Sequence, residues 1–251
     1  MLELQNLSKT YYIGNTDKKV ALDHLNLKIE DGEFVTVIGF NGSGKSTLFH
    51  LIGGTEMADE GKILLDGQNI TYMPEHKRAR MIGQVFQDPM KGTAPSMTVE
   101  ENLAIVYQRF TRKHFGFGIS KKERELFRFM LADLGLGLED RMKTPIGLLS
   151  GGQRQAISLL MCTMAEPKLL LLDEHTAALD PSTADKVLEL TKKIVAEKKI
   201  TTMMITHDLA SALEYGDRTI MMSSGHAVLD IKGQEREAMT PEELFRKFSR
   251  S

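Results

Sequence analysis

Residues 34–47, Phe34-Val35-Thr36-Val37-Ile38-Gly39-Phe40-Asn41-Gly42-Ser43-Gly44-Lys45-Ser46-Thr47, run from an apolar strand through a glycine-rich loop into a helix continued by Leu48, Phe49, Leu51 and Ile52. The loop obeys the pattern G-x-x-x-x-G-K-[ST] in the context that gives it meaning, after a strand and before a helix. Gly39, Gly42 and Gly44 allow backbone N–H groups, with those of Asn41 and Ser43, to curl around phosphates. The helix N-terminus adds a positive dipole, Lys45 a point charge, and Ser46 a hydroxyl for Mg²⁺, with Thr47 beside it. A nucleotide-binding α/β core follows from this segment.

The flanking sequence fits that core. Upstream, Leu2, Leu4 and Leu7, then Leu25, Leu27 and Ile29, read as strands, and Gly53 and Gly54 stop the helix. A strand pair is predicted over 61–65 and 68–70, turning at Asp66 and Gly67. From about residue 88 to 167 the pattern becomes helical, with capping-box spacing at Thr98/Glu101 and Ser120/Glu123 and a stop at Gly135. An α/β pattern then returns. The run 169–172 is a buried strand, Asp180 and Pro181 start a helix, 200–205 is a strand, a helix follows His207, and 219–222 is a strand. Thr240, Pro241 and Glu243 open a last helix, and no further regulatory domain is expected after it.

Composition narrows the classes. Over 251 residues, 41% hydrophobic and 26% charged composition with a formal net charge of −2 describes a globular protein without the basic signature of a nucleic-acid partner. No apolar run approaches the roughly 20 residues needed to span a bilayer. Residues 1–10 show no cationic flank before an apolar stretch, so no secretory leader is expected. Cys162 is the sole cysteine, which rules out an intrachain disulfide and suits a reducing cytoplasm.

Two acidic residues close the buried run: Asp173, placed to hold a Mg²⁺ shell, and Glu174, which projects differently and suits a general base. About a hundred residues after Lys45 a second glycine-rich helix start occurs, Leu149-Ser150-Gly151-Gly152-Gln153. Its N-terminus is a second surface for phosphate, and one fold cannot easily turn both toward the same nucleotide.

This order of motifs resembles the ATP-binding cassette (ABC) ATPases over nearly the whole chain, with residues 149–153 similar to their signature sequence. The resemblance implies a P-loop NTPase (RecA-like) α/β core with an N-terminal antiparallel β subdomain, residues 1–87 and 168–251. An inserted helical subdomain, residues 88–167, carries the signature, and 1–251 form a single ATPase domain. It implies ATP and Mg²⁺, with Ser46, Gln87 and Asp173 at the metal. Lys45, Glu174, His207 and Gln87 would carry hydrolysis, and Ser150, Gly151, Gly152 and Gln153 would receive the γ-phosphate of a second copy's ATP. Gln87 resembles the glutamine that hinges the helical lobe, His207 the switch histidine, and residues 178–180 the D-loop, although Asp180 is equally a helix N-cap. Tyr11 resembles the aromatic that stacks on adenine, with Tyr12 the competing choice. The chain departs from the pattern at His175, where proline is frequent, and at Ala177, where serine is; His175 is expected to be structural rather than a ligand.

The resemblance further implies a homodimer with two complete sites that drives transmembrane permease subunits from the cytoplasmic face of the membrane. Residues 88–103 would receive the permease. Residues 92–98, 174–181 and 221–230 are similar to bacterial importers that work with a solute-binding protein, for small solutes such as amino acids. Two alternatives stand beside import. An ATPase of the macrolide-export or lipoprotein-extraction type is suggested by an extended loop at 12–19. A soluble non-transport ABC ATPase is opposed by the single cassette and the lack of a coiled-coil insertion or basic stripe.

Overall fold

A computed structural model describes residues 1–13, 17–111 and 118–248. In chain order the elements are β1 (Leu2–Ile13), β2 (Asp17–Ile29), β3 (Phe34–Gly39), α1 (Lys45–Gly53), β4 (Glu60–Leu65), β5 (Gln68–Asn69), α2 (Glu75–Arg78), β6 (Ile82–Val85), α3 (Val99–Thr111) and α4 (Lys121–Ala132). Then come α5 (Gly151–Thr163), β7 (Leu169–Asp173), α6 (Pro181–Lys198), β8 (Thr201–Ile205), α7 (Leu209–Glu214), β9 (Arg218–Ser223), β10 (His226–Lys232), α8 (Gln234–Glu237) and α9 (Pro241–Phe248). They group into two compact units. One comprises residues 1–84, 168–174 and 195–251, the other 85–167 and 175–194.

In the first unit a six-stranded sheet has the order β10-β9-β3-β8-β7-β6, and a four-stranded sheet the order β2-β1-β4-β5. Strands β9, β3, β8 and β7 run parallel, while the pairs of the smaller sheet are antiparallel. Every residue of β3 is buried, as a parallel strand covered on both faces requires. Its side chains alternate. Val35 and Val37 join a large core with Leu48, Phe49 and Ile52 of α1, Leu171 of β7 and Leu2, Leu4 and Leu7 of β1, whereas Ile38 packs with Ala212, Met221 and Leu244.

Helix α1 is held at its far end by Gly54, left-handed at φ 90°, whose N–H donates to His50 O, and by the fully buried Arg78. The Arg78 guanidinium donates to Leu51 O and Ile52 O and to Met73 O and Thr71 O, so its charge faces the negative end of the α1 dipole. Arg78 thereby fixes from behind the helix whose N-terminus carries the phosphate loop.

The second unit is helical. Buried Glu100 pairs with Arg124 at 3.3 Å and with Lys143, and Tyr107 meets Phe127 edge-on with centroids 5.7 Å apart. Both predicted capping boxes form, at Thr98/Glu101 and Ser120/Glu123.

Three expectations change. Residues 12–19 are not an extended loop: Tyr12 pairs with Lys18 and Ile13 with Asp17 in a β1–β2 hairpin, residues 14–16 of that stretch lying outside the described residues. The helical pattern predicted from about residue 88 begins only at Val99, because Pro89, Gly92 and Pro95 interrupt the segment before it. Strand β10 was not predicted; its residues are mostly exposed and its pairing with β9 is set by the turn at Ser224 and Gly225.

Candidate nucleotide-hydrolysis site

The phosphate loop bridges β3 and α1. Gly44 is left-handed at φ 105°, and a Cβ there would lie 2.4 Å from Ala21 O; a Cβ on Gly39 would lie 2.4 Å from Met222 O. Only glycine fits at either position. Gly44 caps α1 with no side-chain bond, so the N–H groups of the first helical turn remain available to an anion.

Lys45 is the first residue of α1 and is buried, its ammonium donating to Gly39 O at 2.6 Å and Phe40 O at 3.1 Å. Burial lowers its pKa, while the nearby Glu174 and Asp173 carboxylates act in the opposite sense and favour the charged form. Ser43 is also buried, and its Oγ has no hydrogen-bond partner. Ser46 is exposed and Thr47 half-buried.

A cavity of about 380 Å³ opens over this loop, lined among others by Tyr11, Asn41, Gly42, Lys45, Thr47 and Glu174, and also by Gly44 and Ser46. Glu174 follows β7 and sits at φ 44°, a strained conformation for a residue with a Cβ; its N–H donates to Ile205 O at 3.1 Å. The Glu174 carboxylate is 3.6 Å from His207 Nδ1. His207 is exposed and lies between β8 and α7, whose N-cap Asp208 accepts from Ala210 N–H and Ser211 N–H.

Of the two tyrosines, Tyr11 lines the cavity, whereas Tyr12, next along the strand and on the opposite face, is 76% exposed. The Tyr11 hydroxyl donates to the Glu56 carboxylate and is 3.5 Å from Thr47 Oγ1. Burial first, then the Glu56 carboxylate, raises the Tyr11 phenol above its ordinary value. Two further lining residues, Lys19 and Ala21 of β2, were missed because only the cross-strand register brings them to the loop.

Gln87 and the second glycine-rich segment belong to the helical unit. Gln87 is exposed, directly after Phe86, whose carbonyl accepts from Gln155 Nε2 at 3.3 Å. Ser150 caps α5 in a full capping box, its Oγ accepting from Gln153 N–H and the Gln153 side chain accepting from Ser150 N–H. Gln153 also bonds Arg141 and Leu136 O. Ser150 is exposed, so the helix start faces outward. His175 is fully buried; its Nε2 donates to Thr191 Oγ1, which itself donates to Val187 O, so the ring is the neutral Nε2–H tautomer with Nδ1 unpartnered. Burial lowers its pKa to about 4, and it is no ligand of the cavity.

A phosphate loop whose lysine shares a cavity with a strand-end glutamate, itself beside a histidine, defines a P-loop nucleoside-triphosphate hydrolase. Residues 22–177 match the ABC transporter family, and the chain belongs to it as an ATP-binding, ATP-hydrolysing cassette. It is 47% identical over 248 residues to the tyrosine transport ATP-binding protein of Clostridioides difficile (strain R20291), covering 99% of this chain and 98% of that one. It is 35% identical to the choline transport ATP-binding protein of Bacillus subtilis (strain 168), over 98% of this chain but 59% of that longer protein. Among solved structures, a dimeric ATP-binding cassette in a post-hydrolysis state with ADP and Pi superposes with a TM-score of 0.78 at 31% identity, covering 92% of this chain and 98% of that one. No helix among the described residues is long and apolar enough to cross a membrane.

Proposed function

We propose that two copies of this chain close around two ATP molecules and so drive the import of a small organic solute, of the amino-acid class, through a pair of transmembrane permease subunits. The cassette sits peripherally on the cytoplasmic face of the membrane, and a solute-binding protein delivers the solute to the permease. Similarity to the tyrosine transport protein along nearly the full length of both chains supports import of an amino acid over the export and non-transport readings. The helical lobe, residues 88–167, carries the signature that serves the partner copy's ATP.

The observation that carries hydrolysis is Glu174, lining the same cavity as Lys45 with its carboxylate beside His207. Tyr11 stacks on the adenine. The loop N–H groups and Lys45 neutralise the phosphates, Glu174 takes the proton of the attacking water, and His207 orients that water against the γ-phosphate. The hard oxygen donors of Ser46, Asp173 and Gln87 would hold Mg²⁺, which would supply positive charge against the charge developing on the phosphates. Ser150, Gly151, Gly152 and Gln153 of the second copy complete the shell at the γ-phosphate.

Glu174→Gln removes the base and keeps the side chain's size. ATP hydrolysis should fall by about 10²–10⁴-fold, while ATP binding persists and a nucleotide-bound dimer accumulates in sedimentation velocity. Turnover like that of the wild type in this variant would refute the assignment of the base.

A further inference from the structure

The β1–β2 hairpin presents different chemistry on its two faces. Tyr11 pairs across the strands with Lys19, and both line the cavity; Tyr12 pairs with Lys18 on the other face, where Tyr12 is exposed to solvent. The register therefore directs one of two consecutive lysines to the nucleotide side. Lys19 reaches far: its Nζ is 3.5 Å from the point a Cβ on Gly42 would occupy, so the ammonium lies over the phosphate loop.

Lys45 is buried and held by the loop's own carbonyls. Lys9, the other lysine near Tyr11, is paired with Asp59 at 3.0 Å. Lys19 has no carboxylate partner among the described residues, and Gly42 leaves open the space between its ammonium and the loop.

We infer that Lys19 is a second cationic contact to the polyphosphate of the bound nucleotide, closing over the phosphates from the hairpin that also carries Tyr11. This rests on the reading of the cavity as the ATP site and adds a determinant of nucleotide affinity outside the phosphate loop. A triphosphate in the cavity that Lys45 and Lys19 both line meets two cations, whereas an adenine base on Tyr11 gains no charge pairing from Lys19. The contact should therefore depend on the number of phosphates, and on ionic strength, because Lys19 is exposed to solvent.

The test compares ADP and AMP dissociation constants, and the KM for ATP, in the full-length wild type, Lys19→Met, Lys19→Arg and Lys18→Met, with Lys45→Ala as reference. Lys19→Met should weaken ADP binding and raise the KM for ATP by about tenfold, with kcat changed much less, and should weaken AMP by less than about threefold. Lys19→Arg should restore affinity. Lys18→Met, which removes the same charge on the other face, should bind as the wild type does. Unchanged ADP affinity in Lys19→Met, an equal loss in Lys18→Met, or an equal loss for AMP would overturn the inference. If Lys45→Ala abolishes binding while Lys19→Met is silent, the ATP site stands and only the role of Lys19 falls. If the wild type binds no ADP, both fall.

Discussion

His175 shows how far a residue's environment can depart from its sequence neighbourhood. It adjoins Glu174, which lines the cavity, yet it is sealed in the helical unit as a neutral ring bonded to Thr191. Its pKa is lowered from 6.5 to about 4 by burial. Above pH 6.5 the ring is neutral whether folded or unfolded and contributes nothing to the pH dependence. As pH falls from 6.5 towards 4 the unfolded chain binds a proton that the folded chain refuses, so stability is lost across that window. The loss at its limit is on the order of 3 kcal/mol. Urea denaturation between pH 7 and 4 should show His175→Asn losing less stability on acidification than the wild type; parallel profiles would contradict the buried-histidine account.

At the scale of elements, the second glycine of the signature is a packing residue as well as a proposed N–H donor to phosphate. A Cβ on Gly152 would lie 2.2 Å from Thr183 Cγ2 and one on Gly151 3.0 Å from Leu179 Cδ2, so side chains at either position would have to displace a neighbour on α6 or the segment before it. Gly152→Ala should destabilise the protein by about 1–3 kcal/mol through overpacking. Thr183→Ala removes the methyl it strikes and should recover much of that loss in a double-mutant cycle read by thermal melting. Additive penalties would show that the two residues do not press on each other. The capping box between Ser150 and Gln153 has a related dual character. The same two residues that fix the helix start are those proposed to meet a phosphate, so the N-cap reading and the functional reading describe one structure.

At the scale of the molecule, the phosphate loop and the signature lie in different units, and the proposed catalytic assembly needs two chains. With a two-fold dimer, each site takes its loop from one copy and its signature from the other. Chains carrying Lys45→Ala and chains carrying Ser150→Phe should each be inactive alone. Mixed, they should regain ATPase activity, because the heterodimer contains one site whose loop and signature are both intact. A chain bearing both substitutions forms no intact site in a heterodimer with the wild type, so an excess of it should lower the activity of the wild-type chains. No ATPase activity in the mixture of the two single variants would place loop and signature of one site on the same chain.

The phosphate loop, the Asp173–Glu174 pair and the signature were legible in the sequence because their chemistry requires adjacent residues, and adjacency survives without a fold. The buried run 169–172 and the two capping boxes at Thr98/Glu101 and Ser120/Glu123 were legible for the same reason: strand burial and helix capping are local. Position across the sheets was not. Tyr11 and Tyr12 are equivalent as text, as are Lys18 and Lys19, and only strand pairing turns one of each pair to the cavity. Likewise, the convergence of Glu174, His207 and Lys45 depends on β7, β8 and β3 lying side by side in a parallel sheet, although they are distant in sequence. Sequence alone determined which chemical groups the chain carries and where it turns; tertiary structure decided which of them face one another, because hydrogen-bonded register and burial arise only when separated segments pack.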